Sequence, residues 1–137
     1  MCMEIRNVTP MDKTIWMQIN PHAKEAAFDA HVREGTGYVL WECEIPIGVM
    51  HHCMIWDSLP FLNLLYIREK YRRQGFGTQA MAHWEARMKA QGHAQVLIST
   101  QVDEDAQRFY RKIGYADCGG FVLCEREPME MIMRKVL

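Results

Sequence analysis

A short basic segment rich in glycine has the residue types of an anion-binding turn. In YRRQGFGTQAM (71–81), Arg72 and Arg73 precede Gly75 and Gly77 at the start of a predicted helix. Glycines have no Cβ, so an anion can approach the backbone N–H groups, and the helix N-terminus adds the positive end of its dipole. The segment predicts a phosphate site, with a plain loop and solvated arginines as the alternative.

The same letters also fit a second kind of phosphate-bearing ligand. GFGTQA (75–80) matches the dinucleotide pattern G-x-G-x-x-G/A. That pattern opens directly after its strand, whereas seven residues separate Ile67 from Gly75, and Asp103 lies beyond the ~20 residues expected for an acidic partner. Only 37 residues follow Thr100, too few to complete a doubly wound sheet. These distances argue against dinucleotide binding.

Two spaced motifs resemble those of the GNAT superfamily of acyl-CoA-dependent N-acyltransferases. The pattern R/Q-x-x-G-x-G/A is matched at Arg72, Gly75 and Gly77. The second, N-x-x-A-x-x-F/L-Y-x-K-x-G-F/Y, resembles DEDAQRFYRKIGY (103–115), with matches at Ala106, Phe109, Tyr110, Lys112, Gly114 and Tyr115. Asp103 stands where the family has Asn, and we expect it to cap the following helix.

The resemblance implies acetyl-CoA as the acyl donor and no metal. It implies that amides from Arg73 to Thr78 hold the pyrophosphate and that Lys112 reaches a phosphate. It also implies that the pantetheine arm lies in a splay between the strands at 61–67 and 95–99 and pairs with the strand backbone near Leu65, Tyr66 and Ile67. The implied donor-binding residues are Leu65, Tyr66, Ile67, Arg72, Arg73, Gln74, Gly75, Phe76, Gly77, Thr78 and Lys112. Tyr110 is implied as the acid that protonates the departing thiolate.

The general base is left open by the sequence. Asn63 occupies a position that is often acidic in the family, so the candidates are a water relayed through Asn63 or one of His22, His51, His52, Glu42 and Asp57. Because neighbours on a strand point to opposite faces, at most one of His51 and His52 faces any pocket. Three consecutive strand residues, His51 to Cys53, also cannot converge on a metal ion.

The acceptor is predicted less sharply than the donor. In the family, the segment corresponding to residues 12–31 forms the acceptor wall, and here it carries Trp16, Met17, Asn20, His22, Phe28 and His31. A cationic amine is suggested by acidic residues near in sequence: Glu42, Glu44, Asp57, Glu125, Glu127 and Glu130. We predict acetyl transfer to a primary amine of a small molecule, peptide or protein by direct attack in a ternary complex. The alternative is a non-catalytic acyl-CoA-binding regulatory module.

The elements that must position these residues follow the order βααβββαβαββ. Strands are predicted at 2–8, 38–44, 49–56, 61–67, 95–99, 119–125 and 129–137, with a hairpin turn at Pro46 and Gly48 and with 61–67 buried on both faces. Helical runs are predicted at 12–20, 22–32, 78–91 and 103–113. This order implies an α/β (α+β) fold: a single GNAT-like domain over residues 1–137, with a mixed, mostly antiparallel sheet and helices on both faces.

Composition sets broader limits on partners and location. The chain has 49% apolar residues, 24% charged residues and a formal net charge of −1, so we expect neither nucleic-acid nor membrane partners. Its five cysteines are odd in number and lack C-x-x-C spacing, and its start lacks signal-peptide features, so we expect a cytoplasmic protein. If the apolar C-terminal strand lies at the sheet edge, it offers pairing across a homodimer.

Overall fold

The computed structural model describes residues 3–102 and 105–137. Its elements occur in the predicted order. The strands are β1 (Met3–Asn7), β2 (Gly37–Glu42), β3 (Ile45–Ile55), β4 (Leu59–Ile67), β5 (Gln95–Gln101), β6 (Ala116–Phe121) and β7 (Glu130–Val136). The α-helices are α1 (Lys13–Ile19), α2 (Glu25–Glu34), α3 (Phe76–Ala90) and α4 (Ala106–Lys112), with short 3-10 turns at Pro10–Asp12 and Glu69–Tyr71.

The strands form one mixed, mostly antiparallel sheet, as predicted. Their order is β1-β2-β3-β4-β5-β7-β6. β4 pairs in parallel with β5 at Phe61↔Leu97 and Leu62↔Ile98, whereas β1–β2, β2–β3, β5–β7 and β6–β7 pair antiparallel. The C-terminal strand β7 lies between β5 and β6, so the edge position on which the homodimer expectation depended belongs to β6 instead.

The hairpin of β2 and β3 is present, but the predicted turn at Pro46 and Gly48 is wrong. The turn consists of Cys43 and Glu44, both with positive φ (47° and 65°). Two residues in the left-handed region match the right-handed twist of the flanking strands. Pro46 and Gly48 lie inside β3, where the register shifts and Ile47 is the extra residue of a bulge. Sequence rules assign Pro46 to a turn, but a β-bulge also accommodates a proline inside a strand.

Other boundaries differ by a few residues. α3 begins at Phe76 instead of at residue 78, and β6 ends at Phe121, so the predicted strand at 119–125 is displaced toward the N-terminus. α4 begins at Ala106, and the proposed cap Asp103 lies outside the described residues. β4 is not buried along its length, since Leu62 is buried but Leu64 to Ile67 are only half-buried.

The chain divides into two compact units. The first contains the described residues up to Cys53 together with Asn63–Trp84, and the second contains Met54–Leu62 and the described residues from Glu85 to Leu137. A core cluster in the first unit is formed by Val8, Trp16, Ile19, Phe28, Val39 and Val49. The prediction of one domain over residues 1–137 stays a prediction.

Helices cover both sheet faces within the first unit. Val39 packs with Trp16 of α1, and its neighbour Tyr38 points to the opposite face. There the Tyr38 ring stacks on His52, with ring centroids 5.7 Å apart. The indole N–H of Trp84 in α3 donates to His52 Nδ1 at 3.2 Å. The predicted placement of helices on both faces is therefore seen here.

A buried charged cluster organises the second unit. Glu85 is buried, and its carboxylate accepts hydrogen bonds from the Tyr115 hydroxyl (2.9 Å) and from Lys135 Nζ (2.8 Å). Burial, followed by the neighbouring Glu85 carboxylate, raises the pKa of Tyr115 well above its usual range. Tyr115 is therefore a neutral donor, and Lys135 neutralises the carboxylate.

None of the helices in the described residues is long and apolar enough to cross a membrane.

Candidate active site

The glycine-rich turn leads directly into α3. Arg73 and Gly75 both have left-handed backbone, with φ of 61° and 84°. Gly77 lies in the first turn of α3, so of the two predicted glycines only Gly75 uses its freedom at positive φ. The N–H of Gln79 donates to the Gly75 carbonyl at 3.1 Å. The N–H groups of the helical residues before it have no acceptor within the helix, as at every helix start.

The space beside this turn suits an anion. A Cβ built on Gly75 would meet nothing within 4 Å, so the backbone faces open space at that point. Successive N–H groups, a left-handed residue and the N-terminus of a 15-residue helix together form the arrangement that binds phosphate. The residues present fit a pyrophosphate group, although that fit alone does not distinguish among its carriers.

Arg72, one of the two arginines of the turn, makes two contacts with the end of β4. Arg72 donates from Nε to the Ile67 carbonyl at 2.7 Å, and its guanidinium lies 5.0 Å from the centre of the Tyr66 ring. Arg72 therefore ties the turn back to the end of β4. Gln74 likewise makes a local contact, donating from Nε2 to the Lys70 carbonyl at 3.0 Å. Leu65, Tyr66 and Ile67 form the last residues of β4 and are half-buried.

A cavity of about 170 Å³ lies within the first unit, bounded by α1, α2, β3 and β4. We call it the histidine cavity, because three imidazoles line it: His22, His31 and His51. The remaining lining residues are Trp16, Asn20, Lys24, Ala27, Asn63 and Leu64. Asn63 and Leu64, which are neighbours in β4, both border the cavity.

His31 and His51 form a close pair in this cavity. Their ring centroids are 4.5 Å apart, and the Trp16 ring lies 6.0 Å from His31 and 5.6 Å from His51. Nδ1 of His31 lies 2.7 Å from the Thr36 hydroxyl oxygen. Sequence patterns do not indicate this pair, because its two members lie 20 positions apart in the sequence and neither belongs to a recognisable motif.

Both imidazoles are disfavoured as cations. Burial lowers the pKa of His31, with the Glu34 charge acting in the opposite direction. Burial, followed by the nearby His31 and His52, lowers the pKa of His51 to about 4. Both rings are therefore neutral near pH 7, and a neutral imidazole can accept a proton.

Asn63 joins the pair to Cys53. The Cys53 thiol donates to Asn63 Oδ1 at 3.3 Å, and Asn63 Nδ2 lies 3.2 Å from His51 Nδ1. Burial raises the pKa of the Cys53 thiol, so it remains a neutral donor near pH 7. With the amide oxygen occupied by the thiol, the amide N–H is directed at His51 Nδ1.

The other candidate bases lie elsewhere. His52 points to the face opposite His51, as alternation predicts, and is buried against Tyr38 and Trp84. Glu42 ends β2, opposite Met3, and is not a lining residue of the cavity. Asp57 lies in a turn of the second unit with φ of 60°. Across residues 3–102 and 105–137, no three His, Cys, Asp or Glu side chains are arranged to hold a metal ion.

The residues expected to form the acceptor wall have different surroundings. Trp16, Asn20, His22 and His31 line the histidine cavity, whereas Phe28 is buried in the core and Met17 is exposed. None of the six acidic residues that suggested a cationic acceptor belongs to the cavity lining, and Glu44 is paired with Arg6 at 2.8 Å. A cationic acceptor therefore stays a prediction.

Tyr110 and Lys112 lie on α4 in the second unit. Tyr110 is buried, and its ring meets Phe109 and Tyr115 edge-on at centroid distances of 5.1 and 5.7 Å. Lys112 is exposed in the last turn of the helix. The structure thus gathers the turn residues and Leu65 to Ile67 in the first unit, and Tyr110 and Lys112 in the second.

Comparison with known proteins identifies the class. Residues 4–115 match the sequence profile of the acetyltransferase (GNAT) family, so the chain belongs to that family. The resemblance inferred from the two motifs is confirmed, and acetyl transfer is the general activity of the class. A comparison with curated protein sequences found no match.

Solved structures with the same fold have low sequence identity to this chain. A putative streptothricin acetyltransferase from Bacillus anthracis, in complex with acetyl coenzyme A, has a TM-score of 0.85 at 15% identity, covering 100% of this chain and 99% of its own. A GNAT family acetyltransferase from Elizabethkingia anophelis with acetyl-CoA bound has a TM-score of 0.77 at 17% identity, covering 98% of each chain. Naa50 of Arabidopsis thaliana, in complex with the bisubstrate analogue CoA-Ac-MVNAL, has a TM-score of 0.81 at 14% identity and full coverage of both chains.

Proposed function

We propose that this protein transfers the acetyl group of acetyl-CoA to a primary amine by direct attack in a ternary complex. The observation that carries the proposal is the turn at Arg73 to Thr78, where left-handed residues and a helix start direct peptide N–H groups into open space. Peptide N–H groups bind an ionised phosphate about twice as strongly as a neutral acceptor. The acetyl-CoA bound to the Bacillus and Elizabethkingia structures supports this donor.

The acceptor class is an amine of a small molecule, peptide or protein. The peptide-containing analogue bound to the Arabidopsis protein supports a peptide amine, and the streptothricin for which the Bacillus protein is named supports a small molecule. The reaction needs a neutral amine, a polarised carbonyl and a proton for the departing thiolate. We assign the last role to Tyr110 from the family motif that it matches. Its phenol contributes by position, since the ordinary Tyr pKa of ~10 exceeds that of a thiol, ~8.5.

A thiol-release assay tests this proposal. The protein is incubated with acetyl-CoA and a panel of polyamines, aminoglycosides, amino acids and peptides, and free CoA is measured. We expect release above the hydrolysis rate with at least one amine, together with an acetylated product detected by mass spectrometry. Binding of CoA without release for any amine would instead favour a non-catalytic acyl-CoA-binding module. An increase in melting temperature with NAD(H) and none with CoA would contradict the donor assignment.

A further inference from the structure

The histidine cavity places a second set of chemical groups next to the proposed donor-binding strand. β4 contributes Asn63 and Leu64 to the cavity, and the next three residues, Leu65 to Ile67, are those assigned to the pantetheine arm. Cavity and arm therefore adjoin along one strand of the first unit. A group bound in the cavity would lie beside the donor strand, which makes the cavity the candidate acceptor site.

A hydrogen bond sets the tautomer of His51, one of the two paired imidazoles of the cavity, whereas the hydroxyl partner of His31 is compatible with either tautomer. Asn63 Nδ2 donates to His51 Nδ1, so neutral His51 carries its proton on Nε2 and can donate from that atom. The Thr36 hydroxyl holds Nδ1 of His31 at 2.7 Å. When that contact is Nδ1–H to the hydroxyl oxygen, Nε2 of His31 has a free lone pair. The pair then offers one donor and one proton acceptor.

The surroundings favour His31 over His51 as the proton acceptor. His31 lies in the last turn of α2, where the helix dipole favours a cation. The charged or titratable groups around it are Glu34 on its own helix, His51 on β3, and Lys24 and His22 at the cavity lining. Glu34 favours protonation of His31, whereas His51 has only imidazole neighbours acting on its charge.

We propose that His31 is the general base of acetyl transfer and that His51 orients the acceptor nitrogen; this inference rests on the proposed function. His31 Nε2 takes one proton from the acceptor ammonium, and the freed lone pair of nitrogen forms the C–N bond to the acetyl carbon. As the C–S bond breaks, the nitrogen releases its second proton to solvent, Tyr110 gives a proton to the thiolate and regains one from solvent, and His31 returns its proton to water. The sum is R–NH₃⁺ and acetyl-CoA giving R–NH–CO–CH₃, CoA-SH and H⁺.

The test compares histidine variants in the full-length protein. His31→Gln should lower kcat for an alkyl amine at pH 7 about 100-fold, within the usual range for loss of a general base. His83→Gln is the matched control, because His83 is exposed on α3 and outside the cavity. Melting temperature and the KM for acetyl-CoA should stay unchanged in both variants. His51→Gln should raise the KM of the amine more than it lowers kcat.

The pH profile separates a base from a structural residue. In the His31→Gln variant kcat/KM should rise tenfold per pH unit, and its deficit should shrink as the pH approaches ~10, because the amine then loses its proton to solvent. Thr36→Val, which removes the partner of Nδ1, should lower kcat about tenfold, whereas Thr36→Ser should restore it.

Several results would overturn the assignment. Activity of His31→Gln within twofold of the wild type, or an unchanged pH profile in its residual activity, excludes His31 as the base. Loss of kcat in His51→Gln alone reverses the two roles and also contradicts it. If the wild-type protein binds CoA but acetylates no amine, the proposed function fails and this inference with it. If the wild-type protein is active and His31→Gln is not impaired, only the inference fails.

Discussion

Gly37 and His31 approach so closely that a Cβ on Gly37 would lie 2.9 Å from the His31 Cβ. Gly37 is also the register partner of His51 in the β2–β3 pair. A glycine in this position therefore lets α2 bring His31 against the strand that carries His51. The short distance between the His31 and His51 rings thus depends on the absence of a Cβ at Gly37.

Gly37→Ala should disturb this arrangement. The added methyl group would also lie 3.1 Å from Val8 Cγ2 and 3.3 Å from Trp16 Cη2, closer than ordinary contact. We expect a loss of about 1–3 kcal/mol in the free energy of unfolding, as for other overpacked sites. The amine KM should rise while the acetyl-CoA KM stays constant, because the added atom lies beside the histidine cavity. Urea denaturation and steady-state kinetics check this, and equal increases in both KM values would contradict it.

Gly75→Ala should weaken binding of the donor. The alanine methyl group would project into the open space beside the turn, where the pyrophosphate is proposed to bind. A backbone penalty of about 1 kcal/mol is expected as well, because φ at Gly75 is 84°.

Gly92→Ala is a matched control for this substitution. Gly92 has φ of 94° and also has no neighbour within 4 Å of a built Cβ, so its backbone penalty is comparable. Calorimetry should show at least tenfold weaker CoA binding for Gly75→Ala only. Equal CoA affinities in the two variants would show that the turn does not bind the donor.

Tyr110→Phe should lower turnover with little effect on acetyl-CoA binding. The substitution removes only the phenol oxygen and keeps the ring that packs on Phe109 and Tyr115. We expect at least a tenfold decrease in kcat, since the proton for the thiolate would have to come from water. Stopped assays of CoA release measure kcat, and the affinity of the variant for acetyl-CoA is the control. An unchanged kcat would exclude Tyr110 from the mechanism.

Glu85→Gln should destabilise the second unit. The substitution leaves Lys135 without its counter-ion and weakens the hydrogen bond from Tyr115. Because the Lys135 side chain is 27% exposed, the cost should be about 1–3 kcal/mol, below that of a fully buried pair. A double-mutant cycle with Lys135→Met measures the coupling, and a coupling energy near zero would show that the ion pair contributes no stability.

The histidine cavity should make stability depend on pH. The pKa of His51 is lowered to about 4, below its ordinary value, so the unfolded chain binds more protons than the folded chain between about pH 4 and 6.5. The free energy of unfolding should fall as the pH is lowered through that range, by on the order of 2 kcal/mol.

The variant His51→Gln, which does not titrate, isolates this contribution. Carboxylates titrate at similar pH, but they are common to both proteins. Subtracting the two pH profiles should leave a difference that changes with pH mainly between pH 4 and 6.5 and is nearly constant outside that range. Superimposable profiles would show that His51 is protonated equally in the folded and unfolded states.

Local sequence rules predicted the order of the elements and the glycine turn before α3, because both depend on residues that are neighbours in the sequence. Gly35, Gly92 and Gly114 end helices with φ of 69°, 94° and 105°. The turn at Cys43 and Glu44 was missed because neither residue favours positive φ, while nearby Pro46 and Gly48 are strong turn formers.

Local sequence rules could not predict the histidine cavity, for a different reason. Sequence predicted that His51 and His52 face opposite sides of the sheet, but the contact with His31 depends on how α2 packs over β2 at Gly37. Contacts between distant segments leave no periodic pattern in the sequence.

The turn before α3 also bears on how such a protein can diverge. The hydrogen-bond donors that the turn exposes are peptide N–H groups. Every residue except proline supplies such a group, so anion binding by the backbone constrains few of the side chains from Arg73 to Thr78. The histidine cavity, by contrast, consists of side chains, and each substitution there alters its chemistry. After duplication of such a gene, substitutions in the cavity would change the specificity for the acceptor, while the turn would keep the same acyl donor.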